Sequence, residues 1–226
     1  MTDDSAAAPA QATWRELAVA RSLDPARVRA EKRVQRFLDA ALDLMTTSSG
    51  KDFTVQEVVE RSGQSLRSFY QYFAGKYELL LALFEESVRN TAEQLSEVVA
   101  AESDPLERLR RFCTEYYAIC EPGPTNRPKT GPALAQFAQQ LLTEHPKEAA
   151  RAFVPLVTLL EQVLDAAAAA GAIRPGFNHR RIAGVILQAV MFNAFAATIS
   201  GSSLRDDDGT AAAELWSLVF DGIGPE

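Results

Sequence analysis

Residues 53–84, FTVQEVVERSGQSLRSFYQYFAGKYELLLALF, constrain the fold of this chain more than any other segment. Thr54 stands three residues before Glu57, the spacing of a capping box at a helix N-terminus. Val55, Val58 and Val59 then share one face of a short helix. Arg61-Ser62-Gly63 ends that helix, because the turn needs a backbone conformation that residues with a Cβ resist. Ser65 opens a second short helix with Leu66, Phe69 and Phe73 expected inward. Gly75 stops it, and a long helix starts at Lys76 with Leu79, Leu80, Leu83, Phe84 and Val88 inside. Helix, tight turn and helix at this spacing form a helix-turn-helix, whose second member can enter the major groove of DNA.

The rest of the chain reads as helix too. Residues 1–12 are rich in Ala, Pro and Asp and are expected to be disordered. A short helix is expected over Trp14–Leu23, with Asp24-Pro25 starting the next. Val34, Phe37, Leu38, Ala41, Leu42 and Met45 then make a helical stripe, ending in the loop Thr46–Gly50. Further helices are expected over 76–101, from Asp104-Pro105 to Ile119, over 133–144, 147–170 and 178–200, and from Thr210 to Phe220. Pro155 is a candidate kink in the 147–170 helix. EPGPTNRPKTGP, residues 121–132, carries four prolines and is the clearest interior loop. With no sustained period-two alternation, the fold class is all-α. Three divisions are expected: a flexible extension over 1–24, a three-helix head over 25–77, and a larger helical body over 78–226.

Charge supports a nucleic-acid partner only when it is divided along the chain. The whole carries −7, yet residues 25–77 hold nine basic against six acidic side chains, +3, leaving −10 for the remainder. Such a local excess can act over a Debye length of about 10 Å. Cys113 and Cys120 are seven residues apart, so about 10 Å separates them on a helix and a disulfide is out of reach. Free thiols fit a reducing cytosol. The N-terminus lacks the basic start and apolar run of a secretory signal. Ile182–Ile199 is uncharged but contains Gln188, Asn193 and Thr198, and it falls short of the roughly 20 apolar residues that span a bilayer. It is expected to be a buried helix.

The segment resembles the TetR family of bacterial regulators. Phe53-Thr54 opening the motif, Gly63 at the turn, Ser68-Phe69-Tyr70, Tyr72-Phe73, and Lys76 followed by Glu78-Leu79-Leu80 carry the resemblance. It implies a helix-turn-helix head, a connecting helix and a helical body that dimerises and binds an effector. Many members have glycine where Arg67 stands, so Arg67 is a candidate base contact particular to this chain. Gln64, Ser65, Arg67 and Ser68 lie at the start of the recognition helix. Arg67 suits a guanine edge and Gln64 an adenine edge. Tyr70, Tyr72 and Lys76 resemble the family's phosphate contacts, and Thr54 can donate to phosphate at the helix N-terminus.

In the body, Phe112, Cys113, Tyr116, Phe137, Gln188 and Met191 are expected to line an apolar pocket with a few polar handles. Leu187, Phe192, Phe195, Ile199, Trp216 and Phe220 on the last two helices are expected to form a four-helix dimer interface, so that a two-fold dimer reads a palindrome. No cofactor and no metal are expected. His145 and His179 lack partners at metal spacing, and no catalytic motif or phosphate loop occurs, so an enzyme is not expected. The leading function is a cytoplasmic repressor released from its operator by an apolar small molecule. The alternatives are a regulator of the same fold with no small-molecule ligand, and a membrane-associated helical adaptor using residues 182–199.

Overall fold

The computed structural model describes residues 14–47, 53–120, 132–200 and 210–224; the side chains of 15–23, 47, 132–136, 193–200 and 211 are outside that description. Every regular element among the described residues is an α-helix: α1 (Trp14–Thr47), α2 (Val55–Ser62), α3 (Leu66–Tyr72), α4 (Lys76–Ala100), α5 (Pro105–Cys120), α6 (Pro132–Glu144), α7 (Pro146–Ala169), α8 (His179–Ser200) and α9 (Ala211–Ile223). The expected extension at 1–12, most of the proline-rich loop (121–131) and the segment 201–209 between the last two helices lie outside the described residues.

Helices α1, α2 and α3 close around an aromatic centre. Phe37 meets Phe69 edge-on at 5.4 Å between centroids and Phe73 at 6.2 Å, geometry that favours the ring quadrupoles. Behind them, α4 packs on α1 at one end and on α5, α6 and α7 along the rest. Its buried residues run from Leu79 through Leu83, Phe84, Val88, Ala92 and Leu95 to Val99. One helix therefore contributes to the core of the head and of the body, and the buried residues are contiguous. By length and composition α7 could cross a membrane, but Ala149, Phe153, Leu156, Leu160, Leu164 and Ala167 on it are core residues. The other apolar run, in α8, buries Ala183, Ile186, Leu187, Val190 and Met191, the i, i+3, i+4 spacing of one helix face.

Two prolines behave differently from expectation. Pro25 lies within α1 instead of opening a new helix, and Pro155 lies within α7 without dividing it. Both are exposed, so the carbonyl that each leaves without a backbone donor can be hydrated.

Candidate nucleic-acid interface

The helix-turn-helix is held by short-range bonds that its sequence specifies. Thr54 Oγ1 accepts from the Glu57 backbone N–H at 3.2 Å and donates to the Glu57 carboxylate at 2.8 Å, while the Thr54 N–H donates to that carboxylate at 2.7 Å. This is the capping box read from the spacing. Gly63 adopts φ 66°, ψ 26°; a Cβ there would meet nothing within 4 Å, so the requirement is conformational, not steric. The Gly63 N–H donates to Glu60 O and the Gln64 N–H to Val59 O, each at 3.2 Å. Ser65 caps α3 by accepting from the Ser68 N–H at 3.1 Å.

The outer face of α3 is where expectation and structure part. Arg67 is exposed, as expected, and Tyr70 is 56% exposed with its ring edge-on to Phe69 at 5.4 Å. Leu66, expected in the core, is 43% exposed. Leu66 is four residues from the exposed Tyr70 but three from the buried Phe69, so spacing sets it at the border of the buried face and tertiary packing decides its exposure.

Other candidate DNA contacts are bonded, capped or partly covered within the protein. The Gln64 side-chain amide donates to Arg33 O at 2.8 Å. Ser68 is half-buried, with its Oγ covered and without a hydrogen-bond partner. Lys76 lies over the Phe53 ring, 4.3 Å from its centroid, and its ammonium donates to Phe53 O. Tyr72 is half-buried against the core, whereas Ser65 and Thr54 are exposed but serve as caps. Arg61 of α2 pairs with Asp43 of α1, a second tie between the motif and the helix behind it.

Five of the six expected pocket residues are buried in the body. Phe112, Cys113 and Tyr116 lie on one face of α5, and Phe137 of α6 and Met191 of α8 are buried on helices packed against each other. Tyr116 hydroxyl donates to Leu187 O at 3.4 Å. Burial pushes the Cys113 and Cys120 thiols up to about 12, which leaves them protonated and poorly nucleophilic. Gln188 is a correction: it is exposed, on the opposite face of α8 from Leu187 and Met191. Tyr77, at the start of α4, meets the His145 ring at a tilt, 4.9 Å between centroids, and the Phe137 ring edge-on at 5.7 Å, joining the base of the head to α6 and α7.

The expected dimer residues divide in the same way. Leu187 is 2% exposed, covered by its own chain, and so cannot meet a partner. Phe192 is exposed, and Val185 (58%), Gln188 and Ala189 share its face of α8. Trp216 and Phe220 stack at 5.5 Å and are half-buried where α9 packs on α5, while Leu218 stands 73% exposed on α9. Val185 and Leu218 were not anticipated. The side chains of Phe195 and Ile199 lie outside the described residues.

A family model described as bacterial regulatory proteins, tetR family, matches residues 37–83, from the aromatic centre of α1 to the first turns of α4. Over this segment, the helix-turn-helix and its flanks, the chain is similar to the TetR family of bacterial regulatory proteins. Members of the TetR family bind DNA, are typically dimeric and are generally not enzymes. Solved structures agree in fold. A transcriptional regulator FadR from Bacillus subtilis, in complex with stearoyl-CoA, is 16% identical with TM-score 0.65, over 83% of this chain and 98% of that one. A TetR-family regulator from Mesorhizobium loti is 14% identical with TM-score 0.66, over 87% and 99%. NemR of E. coli in its reduced form is 16% identical with TM-score 0.63, over 86% and 98%. No curated protein matches the chain.

Proposed function

We propose that the chain is a TetR-family transcriptional regulator, a cytoplasmic homodimeric repressor that reads a palindromic operator through α3 and leaves it when an apolar small molecule enters the body. The observation that carries the reading is the outer face of α3. Leu66, Arg67 and Tyr70 are exposed there, while Phe69 and Phe73 fasten the same helix to Phe37. Such a helix offers a guanidinium for a guanine edge, an aliphatic group for a thymine methyl and a phenol for phosphate. Residues 25–77 serve as the reading head and 78–226 as the regulatory and dimerisation body, with 1–24 preceding them.

The face of α8 bearing Val185, Ala189 and Phe192, together with Leu218 of α9, is the proposed dimer surface. Burying it between two copies removes an apolar stripe from water. For the effector, Phe112, Tyr116, Phe137 and Met191 supply an apolar, aromatic lining, and the FadR relative holds stearoyl-CoA, so a long acyl chain is the first class to try. Full burial of Phe112, Cys113 and Tyr116 in the protein's own packing favours a second reading, in which the body takes no small molecule.

The test has two stages. Selection from a random DNA pool should enrich a palindrome with half-sites about one helical turn apart. Titration of that complex with acyl-CoA thioesters and free fatty acids should then release the DNA. Enrichment without release by any of them would leave the ligand-free regulator standing.

A further inference from the structure

We propose that an exposed basic face on α1 is a second DNA contact, made to the phosphates flanking the bases that α3 reads. The proposal rests on the DNA-binding reading of the head, and it adds a surface that helix-turn-helix logic does not supply.

The helix begins long before the core requires it. Phe37 is the first buried residue described on α1, with Val34 packed beside it. From Asp24 to Arg33 every residue is exposed except Ala30, which is half-buried. That is about 15 Å of helix at 1.5 Å per residue with almost no cover from its own chain. Arg29, Lys32, Arg33 and Arg36 stand at i, i+3, i+4 and i+7, which puts four cations on one face. All four are exposed, and their side chains make no ion pair or hydrogen bond among the described residues. Arg27 differs, being paired to Glu31 at 2.7 Å. Between Asp24 and Arg36 the only acidic residues are Asp24 and Glu31; Asp39, one turn beyond Arg36, is the next acid on α1 and accepts from the Gln35 amide at 3.0 Å, so the stretch from Arg29 to Arg36 keeps a net positive charge.

Position selects the partner. Arg33 O accepts the hydrogen bond from Gln64, the residue directly before the Ser65 cap of α3. The basic face thus begins one hydrogen bond away from the N-terminus of the recognition helix. A duplex seated on Leu66 and Arg67 brings its backbone alongside α1. DNA presents one negative charge per roughly 1.7 Å of its axis, and cations that neutralise those charges release condensed counterions. Three of the four cations are arginines, whose planar fork suits phosphate oxygens. An acidic protein partner would have no reason to choose a surface beside the reading helix.

Salt dependence tests this on the full-length protein. The quadruple variant Arg29→Gln, Lys32→Gln, Arg33→Gln, Arg36→Gln removes the charge and keeps good helix formers. Affinity is measured against salt on two duplexes several turns long, the selected palindrome and a mixed sequence. Every phosphate left without its cation lowers the slope of log K on log salt by about 0.9, so a fall of roughly 2–4 per protomer is expected on both duplexes alike. The charge-retaining variant Arg29→Lys, Arg33→Lys, Arg36→Lys should keep the wild-type slope, which separates charge from folding. An unchanged slope in the quadruple variant, or an equal loss in the lysine variant, overturns the inference while the regulator reading stands. Wild-type protein that binds neither duplex overturns the reading itself.

Discussion

The side-chain amide of Gln64 donates to the backbone carbonyl of Arg33, 2.8 Å away, and so fastens the turn of the helix-turn-helix to α1. Gln64 is half-buried, so its first role is architectural: it sets the tilt of α3 against the head. Gln64→Ala should lower head stability by about 1 kcal/mol, the worth of one such bond, and should weaken DNA binding without altering which base is preferred. A urea midpoint and a binding-site selection on the variant check this together. A changed base preference at one position would instead make Gln64 a reader.

Gly63 should tolerate no side chain for conformational reasons. At φ 66° an alanine is strained by about 1–2 kcal/mol, although space is free around it. Gly63→Ala is therefore expected to lower the denaturation midpoint, and Gly63→Asn to lower it less, because asparagine enters the left-handed region more readily. Equal midpoints for glycine and alanine would sink the argument.

Arg67 and Leu66 should divide the reading of bases. Arg67→Ala is expected to lose about 1–3 kcal/mol on the selected operator and relax preference at one position. Leu66→Ala should lose affinity only where a thymine methyl faces it. Replacing thymines by uracils one at a time in the operator then reproduces that loss in the wild type and adds nothing in the variant. Tyr70→Phe, which keeps the ring and removes the hydroxyl, should weaken all sequences alike.

The two faces of α8 should respond oppositely to one change. Phe192→Asp or Val185→Asp places charge on the exposed stripe and should give a folded monomer by sedimentation. Leu187→Asp buries an unpaired carboxylate in the core, costing several kcal/mol, and should unfold the body. A dimer that survives both exposed-face variants would place the interface elsewhere.

The thiols should make stability depend on alkaline pH. Cys113 and Cys120 are raised from 9.0 to about 12 by burial, and burial raises the Tyr116 phenol well above its usual 10.0. In each case the folded state holds its proton more tightly than the unfolded state. Their contribution is therefore complete below about pH 9 and is lost as pH rises towards 12. Denaturation midpoints should fall across that window, and the shift should shrink in Cys113→Ala. Native protein should resist thiol alkylation at pH 8 until denaturant is added.

Much of the fold is local and therefore readable in the residues. The Thr54–Glu57 capping box, the left-handed Gly63 and the Ser65 cap each act within four residues, so spacing alone specifies them. The apolar stripe at Phe37, Leu38 and Ala41, and most helix limits, follow from periodicity in the same way. What α8 shows to water and what it hides needed tertiary structure. Leu187 and Gln188 are neighbours on a helix apolar almost all round, and only the packing of α5, α6 and α7 on one side of α8, with Tyr116 bonded to Leu187 O, makes one inside and the other outside. The partners of Gln64 and Lys76 were hidden for the same reason, since Arg33 and Phe53 lie 31 and 23 residues away. Periodicity measures the angle between side chains on one helix but carries no information about which other helix will cover a given face; packing decides that.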